Sequence, residues 1–385
     1  MTTRNSKMED DEPPGTAPSE WRPSEWRPSE RRPSERRPSW RVALIANVKG
    51  ETERPEDSPP DFGAEFDREE TLQAILQGIE SGGHQPVFIP ADNALPFALK
   101  ELHPDICFNI AEGSRGDGRE AHVPALLEMY GVPYTASRVV ANAISLEKTL
   151  TKRLWRDAGL PVVPFQEIAS TDERIRPSLR YPLFVKPSRE GTGMGVGLEA
   201  VVKDEQELRQ RVAWVIETYK QPALVENYLP GREFTVGILG RQDVAAFTQR
   251  PQLYNANGFH RFPILEIENQ QSITPGVYGY SAKSKDLTEA GAPGYLCPAE
   301  LDPQLEEKLH RLALRAHLAI GAQDVSRVDF RLDAKGTPYL LEINTLPGLN
   351  PAVSDLCIMA RAEGLPYNHL ILEILDLAAA RFGML

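Results

Sequence analysis

Apolar and polar positions alternate along this chain in two rhythms, and the changes between them lay out the fold. From Arg41 the run VALIAN (42–47) reads as a buried strand, and Leu72, Ile75, Leu76 and Ile79 then recur on one helix stripe closed by Gly82-Gly83. Two more apolar runs, PVFIP (86–90) and DICFNIA (105–111), precede a helix carrying Val123, Leu126, Leu127 and Tyr130. Strands alternating with helices predict a parallel α/β domain ending near Ser137. A second unit follows: a helix bearing Lys148 and Lys152, the strand YPLFVKP (181–187), a glycine-rich loop, a helix opened by Asp204 with Glu207 three residues on, and the strand PALVENYL (222–229). Beyond Glu226 strands dominate until Asp302-Pro303 starts a helix with Leu305, Leu309, Leu312 and Ala316 inward, ended by Gly321. Leu370 to Ala380 reads as an amphipathic closing helix.

Period-2 alternation is clearest in SRVDFRLDAKGTPYLLEIN (326–344), where Val328, Phe330 and Leu332 point one way and Arg327, Asp329 and Arg331 the other. Folding this hairpin about Lys335 sets Asp329 opposite Glu342, with Asn344 on the same face as Glu342. Two carboxylates and a carboxamide oxygen, with no sulfur or imidazole nearby, form a hard-oxygen set suited to Mg²⁺ bridging phosphates. Alternation alone fits a solvated outer face equally well. Upstream, KPSREGTGMGV (186–196) places Gly191, Gly193 and Gly195 after a strand, where backbone N–H groups can converge on an anion beside Lys186. Its spacing matches neither a P-loop nor a dinucleotide fingerprint. In isolation it suits a flexible hairpin tip just as well; with an acidic metal-type cluster downstream, a phosphate loop is favoured. The turn AEGSRGDGRE (111–120) ends a strand where crevices open in α/β sheets, so Glu112, Arg115, Asp117, Arg119 and Glu120 are candidates for substrate contact as well as for a solvated loop.

Composition narrows the class. With 385 residues, 41% of them hydrophobic, the chain can bury a full core and divide into two or three domains. A formal charge of −12 argues against nucleic acid as a partner. Cys107, Cys297 and Cys357 are far apart, which fits a reducing compartment and not zinc. No apolar run is long enough for a membrane span and the polar N-terminus lacks a secretory h-region, so a cytoplasmic location is expected. Residues 18–40 repeat a Pro-containing unit of five, RPSEW, RPSER, RPSER, RPSW, which has too little to bury to offset its ordering entropy. Residues 1–40 are therefore expected to be a tail, either a tolerated extension or a docking motif built on Trp21, Trp26 and Trp40.

Seven blocks in order, LLEMYGVPYTAS, KTLTKRL, FVKPSREGTGMGVG, LVENYLPGREFTVGILG, YSAK, CPAEL and RVDFRLDAKGTPYLLEINTLPG, make the chain from about Phe108 onward resemble the D-alanine:D-alanine ligase family of the ATP-grasp superfamily. The resemblance implies an α/β chain in which an ATP-grasp fold, with a central part at 139–225 and a C-terminal part at 226–385, follows a parallel-sheet domain at 41–138. It implies ATP held by Lys148, Lys186, Glu226 and Glu233 and by the loop Glu190, Gly191, Thr192, Gly193 and Gly195. Two Mg²⁺ ions, with Mn²⁺ as a substitute, would sit on Asp329, Glu342 and Asn344. Arg327 and the N–H of Gly348 would face an oxyanion, with Tyr280 and Lys283 on a mobile loop beside Tyr278. The implied partners are amino acids, D-alanine first, and a second copy of the chain as a homodimer. The family's glycine-rich start and its acidic residue are replaced here by ANVKGETERPEDSPPDFGAEFDREE, which leaves Glu65 or Asp67 for that role; Glu112-Gly113 replaces a His-Gly pair, Ser284 a Tyr, and Thr192-Gly193 a pair of Ser. Ser354 completes the substrate candidates. These departures cluster at the amino-acid subsites. The expected activity is therefore ATP-dependent formation of a dipeptide through an acyl phosphate, with another amino or hydroxy acid as the alternative substrate and a nucleotide-binding pseudo-ligase as the alternative class.

Overall fold

The computed structural model describes residues 38–268, 274, 276–279 and 291–385; Tyr280, Lys283 and Ser284 lie outside them. The described chain opens with β1 (Arg41–Ala46), whose buried apolar run pairs in parallel on both sides, with β2 (Gln85–Pro90) and β3 (Ile106–Asn109). Between them α1 (Glu69–Ser81) lays Leu72, Ile75 and Ile79 on the sheet, and α2 (Leu95–Leu102) follows β2. Trp40, grouped with the tail in the sequence reading, belongs to this folded body. It is 5% exposed, stacks on His84 at 4.7 Å, and is preceded by a Ser39 Oγ to Gly83 carbonyl bond of 2.7 Å. The repeat's last ring is thus part of the core. Trp40→Leu should cost about 2 kcal/mol in lost apolar area and stacking, a fall in Tm of roughly 3 °C by calorimetry.

After α3 (His122–Tyr130) the chain makes two helices in succession, α4 (Val139–Leu146) and α5 (Lys148–Asp157), of which only the second was legible. The central sheet runs β4 (Phe165–Ile168), β7 (Ala223–Asn227), β5 (Leu183–Pro187), β6 (Val201–Val202), all antiparallel, backed by α6 (Glu205–Tyr219). Asp204 caps α6 as expected, accepting from Glu207 N–H at 2.9 Å, while Glu207 reaches back to Lys203 N–H at 2.7 Å.

The largest sheet is ordered β11 (Gly294–Leu296), β10 (Leu265–Glu268), β8 (Glu233–Gly240), β12 (Val325–Leu332), β13 (Pro338–Asn344), with β9 (Phe259–Arg261) also on β8. Its one face packs Phe234, Val236, Val328 and Phe330 against α7 (Pro303–Ala319) and Trp155 of α5. The hairpin register is the one the alternation predicts: Asp329 faces Glu342 and Arg327 faces Asn344, before a bulge shifts Phe330 onto Leu340. Two helices close the chain, α8 (Asp355–Ala362) and α9 (Tyr367–Arg381). The last is not amphipathic: Leu370 through Ala379 are all buried, Glu373 and Asp376 included. Glu373 is matched inside by Arg250 Nη1 and the Tyr254 hydroxyl, each at 2.6 Å, so polar residues here mark buried partners, not solvent. No helix among the described residues is long and apolar enough to cross a membrane.

Candidate active site

The hairpin face opposite the Phe330 core is enclosed, not solvated, because the central sheet stands over it. Asp329 is 7% exposed, and its carboxylate accepts from Arg327 (Nε 3.0 Å, Nη2 2.9 Å), Thr235 Oγ1 (2.6 Å) and Asn344 Nδ2 (3.3 Å). Arg327 also meets Asp355, at the start of α8, at 3.1 Å. Burial works against its charge, but Asp329 and Asp355 outweigh that and hold the guanidinium well above its ordinary range.

Three lysines converge on this floor. Lys148 and Lys152 stand one turn apart at the start of α5, where Glu147 caps the helix and bonds Ser188 Oγ at 2.6 Å. Lys152, fully buried, sits 2.9 Å from Glu226 Oε2; the other oxygen of Glu226 lies 3.9 Å from Lys186; Lys186 is 3.4 Å and Lys148 3.7 Å from Glu342 Oε2. Charges therefore alternate across the floor from β7 to the hairpin. Burial lowers the Lys152 ammonium, whereas for Lys186 the pull of Glu342 and Glu226 exceeds burial and raises it. Lys152 was not among the sequence's site residues; its spacing of four from Lys148 was the available signal.

Two clefts meet on this floor. One is lined by Phe184, Lys186, Glu190, Gly193, Met194, Glu226, Glu233, Asp329, Arg331 and Glu342. Glu233 lies 3.3 Å from Arg331 there. The other shares Lys148, Tyr278 and Glu342 with it and gathers Glu65, Glu112, Glu120, Gly191, Thr192, Arg327, Asn344, Gly348 and Ser354. A Cβ on Gly348 would come within 2.8 Å of Ser354 Oγ, and that hydroxyl accepts from Asn350 N–H at 2.9 Å. Tyr278 bonds Tyr295 at 2.7 Å, a partner the sequence did not single out. Of the three glycines expected to present N–H groups to an anion, Gly195 lines neither cleft, and its N–H is given to Asp61 at 2.8 Å.

The second cleft is strongly acidic on its α/β side. Arg119 binds Glu65 at 2.6 Å and Glu190 at 3.2 Å, and burial, helped by Glu120, pushes Glu112 well above the usual carboxyl range. Burial likewise takes Asp67 up to about 7 and Glu120 up to about 8. The folded chain thus keeps the Glu120 proton where an unfolded chain, near its ordinary 4.5, has released it, and stability drains away as pH rises from about 4.5 to 8. Glu120→Gln lacks this titration. The Tm of the variant minus that of the native chain should widen across the window by at least about 1.5 °C, the equivalent of roughly 1 kcal/mol; a gap independent of pH would contradict it.

An α/β domain and two antiparallel sheets closing on a lysine-rich cleft, with an acid and amide hairpin as its floor, make up an ATP-grasp fold. Comparisons with known proteins narrow this. Residues 154–376 match the family profile described as the D-ala D-ala ligase C-terminus. D-alanine–D-alanine ligase B of Chromobacterium violaceum is 34% identical over 82% of this chain and 94% of its own length, and an uncharacterised protein of Sinorhizobium fredii is 32% identical over 89% of this chain and 98% of its own. The solved D-alanine–D-alanine ligase of Bacillus anthracis complexed with ATP superposes with a TM-score of 0.65 at 21% identity, covering 90% of this chain and 99% of that one, a likeness of fold. The chain belongs to the D-alanine–D-alanine ligase family.

Proposed function

We propose that this chain joins two amino acids at the expense of ATP, with D-alanine as the first of them, and that both clefts serve one reaction. The alternating chain from Lys152 through Glu226, Lys186 and Glu342 to Lys148 carries this reading, because Glu226 and Lys186 line the first cleft while Glu342 and Lys148 line both. Lys148 and Lys186 would bind the phosphates, Glu190, Gly191, Thr192 and Gly193 would cover them, and Glu226 and Glu233 would meet the base and ribose. The carboxylate of the first amino acid attacks the γ-phosphorus, ADP leaves, and the amine of the second then attacks the acyl carbon, releasing phosphate. Arg327 and the Gly348 N–H would donate to the oxyanion of that addition, in a setting where fixed donors act most strongly. Tyr280 and Lys283 would serve the same reaction; Glu65, Glu112 and Ser354 would contact the amino acids.

Asp329, Glu342 and Asn344 offer two carboxylates and a carboxamide with no sulfur or imidazole among them, and Asn344 Nδ2 holds the amide against Asp329. This fits two Mg²⁺ ions, or Mn²⁺, whose chemistry would be to neutralise the transferring phosphoryl group. A cytoplasmic location, supply of the dipeptide to cell-wall synthesis and a homodimer complete the proposal.

A second reading, the same chemistry on another amino or hydroxy acid, is favoured by Glu112 and Glu120 in the second cleft, with Arg119 paired to its lining Glu65. A panel of D-amino and D-hydroxy acids, followed by ADP release, hydroxylamine trapping and product mass, separates the two. D-alanine-dependent ADP with a trappable hydroxamate is expected. Its absence alongside turnover of another acid would remove D-alanine; no ADP with any acid would leave a nucleotide-binding pseudo-ligase.

A further inference from the structure

Residues 51–68, which stand where the family's glycine-rich start is replaced, do more than join β1 to α1. Their base is tied to the end of β1: Lys49 N–H donates to the Asp67 carbonyl at 2.9 Å and Asp67 N–H to the Asn47 carbonyl at 3.2 Å. Their interior is stiffened by successive turns and by the edge-to-face contact of Phe62 with Phe66 at 5.3 Å. From that anchored base the loop reaches the glycine loop of the central domain. Asp61 Oδ2 accepts from Gly195 N–H at 2.8 Å, and the same carboxylate accepts the Tyr219 hydroxyl at 2.8 and 2.9 Å.

Gly195 is held from both sides. Its carbonyl accepts from Arg211 Nη2 of α6, a guanidinium stacked over Trp214, so both of its backbone groups end on side chains. Its φ of +67° and the position of a would-be Cβ, 2.7 Å from Pro187 Cγ and 2.9 Å from Tyr219 Cζ, leave room for glycine alone. With its N–H committed to a carboxylate, Gly195 cannot serve a phosphate, yet Gly193 and Met194 immediately before it line the nucleotide cleft. A fixed Gly195 therefore fixes where the preceding N–H groups aim.

We propose that the 51–68 segment is a strap and that Asp61 is the positioning residue through which it holds the glycine loop over the nucleotide; this rests on reading the larger-sheet cleft as the ATP site. The strap belongs to the α/β domain, which also carries Glu65 and Glu112 of the amino-acid cleft. Loop position and amino-acid cleft are thereby tied mechanically, and loss of the tie costs nucleotide affinity by letting the loop sample orientations that bind nothing.

The test is calorimetric binding of a non-hydrolysable ATP analogue with Mg²⁺ to the full chain and to Asp61→Ala and Asp61→Asn. Ala removes the acceptor; Asn keeps an oxygen for the Gly195 N–H. Asp61→Ala should weaken binding at least tenfold and raise KM for ATP by more than it lowers kcat, while Asp61→Asn stays within threefold of the native chain. A purely structural role would reduce the number of sites and the Tm instead of the affinity. Native-like binding by Asp61→Ala, or equal weakening by Asp61→Asn, would overturn the strap alone; no binding by the native chain would bring down the nucleotide reading and the strap with it.

Discussion

Glu342→Gln is expected to lower kcat by at least about 10²-fold while the chain still folds, the scale at which one electrostatic stabiliser is lost from a reacting centre. Glu342 lines both clefts, pairs in register with Asp329, and lies within 3.4 and 3.7 Å of the ammonium groups of Lys186 and Lys148. Gln keeps the shape and removes the charge. The two lysines then face each other without the carboxylate that spaces them, and an oxygen of the proposed metal cluster weakens from an anion to an amide. Folding should survive, since Glu342 stays 15% exposed at the side chain and belongs to no apolar cluster. The measurement is steady-state kcat with Tm as a control. A kcat within threefold of native would remove Glu342 from the chemistry.

The pairing of Glu342 with Asp329 was legible in the sequence, and the reason is local. A hairpin with one apolar face has its register forced, because a slip of one residue would turn Val328, Phe330 and Leu332 out of the core. Asp329 and Glu342 follow. The same logic made β1, α1, α6 and α7 readable, since each is an apolar period bounded by a cap or by glycine. What failed to show was decided by contacts distant in sequence. The face of Asp329 was ambiguous because the covering groups, Lys186 and Glu226, lie on strands more than 100 residues earlier. Polar residues in α9 imitated a solvent face because Arg250 and Tyr254, its buried partners, come from a loop with no periodicity. Gly195 looked like Gly191 and Gly193; Asp61, 134 positions away, takes its N–H and sets it apart. Trp40 was hidden by the repeat it ends, and the stacked His84, 44 positions away, places it in the folded body.

Lys152 is the largest omission, and its replacement has the largest expected effect on stability. The side chain is 0% exposed, its ammonium 2.9 Å from Glu226 Oε2 and 3.2 Å from the Leu340 carbonyl, so it ties α5 to both sheets at once. Burial already lowers its proton affinity, which means the pair exists against a desolvation cost and depends on its partner. Lys152→Met supplies a side chain of similar length and leaves Glu226 charged and buried. Lys186 lies 3.9 Å from the other oxygen, but it also serves Glu342. Breaking a buried pair from one side costs about 3–5 kcal/mol, or roughly 4–7 °C in Tm at ~2.1 cal/mol/K for each ordered residue. Adding Glu226→Gln removes the stranded charge, and the double variant should regain at least half of the loss in calorimetry. It should not regain ATP affinity, since Glu226 lines the cleft proposed for the nucleotide. A single variant as stable as the native chain would show that Lys152 is dispensable to the fold; a double variant no better than the single would show that the cost lies in packing around α5 and not in an uncompensated carboxylate.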